Sequence, residues 1–218
     1  MKNTIYLIRH GITEGNKRRL YYGSTDLPLA PEGIEALKKR REAGIYPDEH
    51  GFRLITSGLS RTKQTLFEIY GKEPDISDKR LNEVNFGDFE MKSYDELKDI
   101  PEYQLWISGD NWHNYCPNGE SGAIMFARAK IAMDEYCKSD CIIICHGGII
   151  SSLMQEYFPG DGGREYFYMW QPRPCEGYKV VFDDGKPIEY SEIKLDETEA
   201  EKRKSKQEDW AACCLATA

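Results

Sequence analysis

Apolar residues along this chain fall into two kinds of pattern. Short, nearly unbroken apolar runs stand at 3–8 (NTIYLI), 52–56 (FRLIT) and 141–145 (CIIIC). Runs of this length predict buried strands, covered on both faces. Between and after them come segments with helical spacing. PEGIEALKKRRE (31–42) carries Pro31 in its first turn and Ile34 and Leu37 on one side, which predicts a helix. SRTKQTLFEIY (60–70) predicts a second, with Ser60 as its N-cap. AIMFARAKIAMDEYCK (123–138) predicts an amphipathic helix with apolar positions 124, 125, 131 and 133, and IISSLMQEYF (149–158) a further helix. YKVVFDDGKPIEYSEI (178–193) predicts a hairpin turning at Asp184-Gly185.

Strands alternating with helices predict an α/β fold: a three-layer α/β/α sandwich with a mostly parallel central sheet. Residues 71–121 are weakly periodic, with short helical pieces near 93–107 and turn signals at SGDN and CPNGES. They read as an insertion over one sheet edge and over the site, within a single domain spanning 1–195. From 196 to 218 charge dominates. This stretch reads as a solvated tail that ends in AACCLATA.

Composition narrows the function. With 218 residues the chain can bury a sizeable core. A net charge of −8 disfavours nucleic acid and anionic membrane as partners. No apolar run approaches the ~20 residues of a membrane span. Arg9 interrupts the N-terminal run too early for a signal peptide, so a cytoplasmic protein is expected, as monomer or homodimer. Cys137, Cys141 and Cys145 recur every four residues. They cross a helix end, a turn and a strand, which predicts that they do not share one face. Reduced, buried thiols are expected rather than a metal site.

Candidate chemistry sits at the strand ends. The first strand ends LIRHG and the third IICHGG; the second leads through LITSGLSRT into a helix. In an open α/β sheet, ligands bind beyond the carboxyl ends of parallel strands. Arg9, His10, Arg61 and His146 are therefore expected to converge. Two arginines and two histidines in one cleft call for an anion, and the fork of arginine matches phosphate oxygens. Each motif is weak alone; three at corresponding strand ends make a site.

The same motifs, in the same order, resemble the histidine phosphatase superfamily, also called phosphoglycerate mutase-like. RHGITEGN fits its R-H-G-x-T-x-x-N signature. The likeness continues through STDLPLAPEGIEAL, SRTKQT, RLNEVNFGDFE and CHGGII, over roughly residues 3–182. The resemblance implies that His10 is the phosphorylated nucleophile and that Arg9, Arg61 and a protonated His146 bind the phosphoryl group. It places Thr13 and Asn16 at supporting positions and implies that Glu83 is the proton donor, with Glu14 and Glu120 as alternative carboxylates. Tyr22, Gly23 and Gly147 are expected beside the substrate. No metal or other cofactor is expected, because the Arg/His cluster supplies the positive charge.

Within that family, phosphatase and mutase share the phosphohistidine step. The mutases resemble one another in an arginine-rich insertion and in an Arg four residues after the motif Asn. Here residues 92–121 hold no Arg, and Leu20 occupies the second position. LYYG, NEVNFGDFEM, GDNW and PNGES instead resemble the alpha-ribazole phosphatase subgroup, including Met91 where most of the superfamily has Gly. That implies a small phosphate monoester as substrate, with alpha-ribazole 5′-phosphate the candidate. Phosphoglycerate mutase and a non-catalytic binder of phosphorylated ligands are the alternatives. Tyr21, Tyr22, Trp106 and Trp112 are candidates either to stack on a substrate base or to pack the insertion.

Overall fold

The computed structural model describes residues 1–109, 112–160 and 165–195. The tail and the centre of the GDNW turn lie outside the described residues. In chain order the elements are β1 (Lys2–Arg9), α1 (Glu14–Lys17), β2 (Leu20–Tyr21), α2 (Pro31–Glu42), β3 (Arg53–Thr56) and α3 (Ser60–Tyr70). Next come β4 (Ile76–Ser77), β5 (Lys92–Ser93), α4 (Tyr94–Leu97), α5 (Pro101–Ile107) and α6 (Gly122–Tyr136). The chain continues with β6 (Cys141–Cys145), α7 (Gly147–Tyr157), α8 (Glu165–Met169), β7 (Gly177–Asp183) and β8 (Lys186–Ile193).

One six-stranded sheet runs in the order β4-β3-β6-β1-β7-β8. The pairs β4/β3, β3/β6 and β6/β1 are parallel; β7 and β8 add antiparallel at one edge. Alternation along the central strands explains the layers. Ile5 and Leu7 of β1, with Cys141, Ile143 and Cys145 of β6, face a core closed by α6 and α7. Ile8, Ile142 and Ile144 face the opposite core, closed by Leu37 of α2 and Leu66 and Ile69 of α3. The fold is thus the α/β/α sandwich expected from the pattern. Among the described residues, no helix is long and apolar enough to cross a membrane.

Register positions the chemistry. Arg9 pairs with Cys145 across β1/β6, and Thr56 with Ile144 across β3/β6. His10, His146 and Ser57 therefore leave the sheet side by side at its carboxyl edge.

Several expectations are corrected. Ser60 does not cap α3 but is its first residue; its N–H and hydroxyl both bond the Asp26 carboxylate, at 2.7 and 2.8 Å. On α6 the buried face is Met125, Ala129, Ala132, Met133 and Tyr136, while Ile131 is 57% exposed and Ile124 40%. α7 starts at Gly147, two residues before the apolar run. Residues 76–77 belong to the main sheet as its edge strand, so the departure from the sheet begins after them. Cys137, Cys141 and Cys145 do share one core, where they are buried and unbridged. The Asp184-Gly185 hairpin turn is as expected, with φ of 47° and 75°.

A second apolar unit is built from 86–116. Phe89, Leu97, Tyr103 and Cys116 form its core, with Tyr21 and Tyr94 edge-on to Tyr103, Trp106 tilted against it and Phe86 edge-on to Tyr21. The two-residue ladder of β2 with β5 ties it to the main body.

Candidate active site

His10 is 3% exposed and follows directly on β1. Its Nδ1 lies 2.7 Å from the Gly11 carbonyl oxygen. A carbonyl only accepts, so Nδ1 carries the hydrogen and Nε2 keeps its lone pair. Burial, and then the charges of Arg61 and Arg9, hold this imidazole well below the usual histidine range. It is neutral at physiological pH, the form that attacks phosphorus.

Arg61 lies on α3 and is fully buried. Its Nη1 donates to Thr25 O at 2.8 Å and its Nη2 to Gly23 O at 2.7 Å, with the guanidinium 5.0 Å from the Tyr22 ring centre. Its Nε finds no partner among the described residues. Arg9 reaches from the end of β1 to the Pro172 carbonyl at 2.8 Å. His146, also fully buried, stands with its ring 5.2 Å from that of His10. In the ligand-free protein, burial, then Arg61, His10 and Arg9, push His146 far below its ordinary range. The imidazoles relieve the repulsion predicted for this cluster by being neutral, which leaves the two guanidiniums as its charge.

The remaining predicted residues frame this group. Thr13 donates its hydroxyl proton to Asn16 Oδ1 at 3.1 Å, and the backbone N–H groups of the two close a capping box around α1. The Tyr22 hydroxyl shares a hydrogen bond with Thr13 Oγ1 at 2.6 Å. Gly23 packs so closely that a Cβ there would stand 1.6 Å from Val84 O. Gly147 packs on the Arg9 guanidinium and beside Gln171.

Glu83 is bound at the start of α7. Its Oε2 accepts from Gly148 N–H at 2.8 Å and its Oε1 from Val84 N–H at 3.0 Å. A Cβ on residue 148 would stand 2.5 Å from Glu83 Oε1, so only glycine admits the carboxylate here. The alternative carboxylates lie elsewhere. Glu14, 58% exposed, pairs with Lys17, while both oxygens of Glu120 are held by Arg128.

Sequence reasoning missed the residues that hold these parts in place. Glu90 accepts from the N–H groups of Gly23, Ser24, Thr25 and Phe86 and from the Thr25 hydroxyl. It thereby fixes the carbonyls that grip Arg61. Arg128 donates to the carbonyls of Arg80, Asn82 and Glu83, clamping the segment that carries Glu83. Ser57 Oγ sits 2.9 Å from His146 Nε2. Glu90 lies in the quoted NFGDFE motif and Ser57 in LITSG, but nothing in their spacing shows what they bond.

The four aromatic candidates are all packed against protein. Tyr21 and Trp106 belong to the second apolar unit, Tyr22 lies under Arg61, and Trp112 packs on Gly122, Phe126 and Phe167. Met91 has φ of 63°, a left-handed conformation that glycine adopts without cost. This is the physical reason that a glycine suits the position.

Two guanidiniums and two neutral imidazoles gather at the carboxyl edge of a mostly parallel sheet, where ligands of α/β proteins bind. The sequence model of the histidine phosphatase superfamily, branch 1, matches residues 5–191, and the chain belongs to that superfamily. It is an enzyme of the phosphatase class. An adenosylcobalamin/alpha-ribazole phosphatase of Salmonella typhimurium is 30% identical over 161 residues, covering 69% of this chain and 77% of the relative. A probable phosphoglycerate mutase GpmB of Escherichia coli is 29% identical over 163 residues, covering 69% and 72%. Among solved structures, the alpha-ribazole phosphatase of Shigella flexneri superposes with a TM-score of 0.72 at 25% identity, covering 85% of this chain and 93% of that one.

Proposed function

We propose that the protein hydrolyses a small phosphate monoester through a phosphohistidine on His10. The observation that carries this reading is the Nδ1–Gly11 hydrogen bond at 2.7 Å. It leaves Nε2 as the only nucleophilic nitrogen of a neutral ring within the Arg9, Arg61 and His146 cluster. In this scheme Nε2 attacks phosphorus in line with the departing ester oxygen. Arg9 and Arg61 stabilise the charge on the equatorial oxygens, the dominant requirement of phosphoryl transfer. Glu83 gives the leaving alkoxide a proton, then takes one from the water that attacks phospho-His10. Its place beside Gly148, at the start of the helix that follows His146, favours it over Glu14 and Glu120. Thr13, Asn16, Tyr22, Gly23 and Gly147 complete the pocket wall.

For the substrate we propose alpha-ribazole 5′-phosphate, in a reducing, cytoplasmic setting that suits the buried free thiols. Leu20 and the arginine-free stretch 92–121 lack the arginines with which a mutase would grip a second phosphate. Rates on a panel of esters test this. Alpha-ribazole 5′-phosphate should give the highest kcat/KM, with no transfer of phosphate from a bisphosphoglycerate to a monophosphoglycerate. A higher kcat/KM on another ester would overturn the substrate assignment. Efficient transfer between phosphoglycerates would overturn the hydrolase reading.

A further inference from the structure

Ser57, the first residue after β3, connects His146 to a chain of hydroxyls whose direction is determined. Thr62 Oγ1 lies 2.7 Å from the Leu59 carbonyl oxygen, which can only accept, so the single hydroxyl proton of Thr62 points there. Ser57 Oγ lies 3.1 Å from Thr62 Oγ1. With the threonine proton already engaged, Ser57 is the donor in that contact. Ser57 then has only lone pairs to offer to His146 Nε2 at 2.9 Å, so Nε2 carries the ring hydrogen.

We infer that the Ser57–Thr62–Leu59 chain fixes His146 as the Nε2–H tautomer, so that its Nδ1 hydrogen-bonds a phosphate group only after taking up a proton from solvent. Nδ1 is buried and has no partner among the described residues. As a bare lone pair it repels phosphate oxygen; as N–H⁺ it is a charge-assisted donor. The groups that face the ring set the balance. Arg61 on α3, Arg9 and His10 at the end of β1, and Arg128 on α6 all oppose protonation in the ligand-free protein. The nearby acid, Glu83, is bound to the Gly148 N–H. A bound phosphate dianion cancels the charge of the two guanidiniums and, in contact with the ring, draws the proton in. Ser57 and Thr62 are positioning residues in this account, acting through His146. The inference rests on the reading of this pocket as a phosphate site.

Ring-nitrogen NMR of the full chain labelled with 15N-histidine tests it at pH 8, where inorganic phosphate is almost wholly a dianion. The free protein should show His146 as the neutral Nε2–H tautomer. Saturating inorganic phosphate should convert it to imidazolium. A neutral Nδ1–H tautomer in the free protein, or a His146 that binds phosphate while remaining neutral, would overturn the inference. Thr62→Val frees the Ser57 proton to face Nε2 and should shift the tautomer towards Nδ1–H; an unchanged tautomer in folded T62V would also overturn it. If that variant does not fold, the wild-type spectra decide. The expected spectra without turnover of any ester would sink the phosphatase reading and leave this one standing. Turnover together with an Nδ1–H ring would do the reverse.

Discussion

The Arg/His site and the aromatic unit of 86–116 are held together by different forces. In the pocket, polar groups are fixed by hydrogen bonds from residues distant in sequence. Arg61 is gripped by two carbonyls, the loop bearing them by Glu90, and Glu83 by backbone N–H groups. The aromatic unit is held by edge-on and tilted rings around Tyr103, with one hydroxyl pair, Tyr21 to Tyr103 at 2.7 Å. The first arrangement tolerates almost no displacement, since each donor has one geometry. The second depends on buried area, which varied side chains can supply. Chemistry is expected to be fragile in the one region and stability in the other.

The largest break in that contrast should come from His10→Ala. It removes the nucleophile and should lower kcat on the order of 10⁴-fold or more, while the melting temperature changes little. Gly148→Ala comes next. Its Cβ would occupy the place of Glu83 Oε1, and the loss of a placed acid–base group should cost roughly 10²- to 10³-fold in kcat. KM for a small ester should change far less than kcat. In the aromatic unit, Tyr103→Ala should act in the opposite sense. Tyr103 is fully buried, and truncation should destabilise by about 3–5 kcal/mol in chemical denaturation. The folded fraction should retain most of its kcat on a chromogenic ester.

A smaller effect sharpens the comparison through pH. Both pocket histidines lie well below their ordinary range when folded. The unfolded chain therefore binds more protons than the native one below pH ~6.5. Stability of the ligand-free enzyme should be full above that pH and fall as pH drops. The slope should be up to about 1.4 kcal/mol per pH unit for each histidine. Tyr103→Ala should lower the whole curve without changing this slope; His10→Asn should reduce it. Denaturation midpoints between pH 5 and 8 measure both.

The same contrast marks what the sequence reveals. β6 is apolar along its whole length, and β1 and β3 carry apolar runs, because both faces are covered there, so strands and layers are legible, and Arg9, His10 and His146 stand out as polar ends to apolar runs. The hairpin announces itself through Asp184-Gly185. Other features leave no local trace. β4 is two residues long, and its pairing depends on β3. Ile131 has helical spacing yet faces solvent, because the buried face of α6 runs through Met125, Ala129, Ala132, Met133 and Tyr136. Ser60 looks like a cap, but Asp26 from a distant loop takes that role. Glu90, Arg128 and Ser57 act through bonds to residues far along the chain, and no period or motif spacing records such partners.

The central claim is that His10 carries the phosphoryl group. Rapid acid-free quenching of the enzyme with ³²P-labelled ester, followed by mapping of the label, tests it most directly. The account predicts one labelled site at His10, stable in alkali, lost in acid, and absent from His10→Ala. Turnover without any labelled protein, or label of equal amount in His10→Ala, would contradict it.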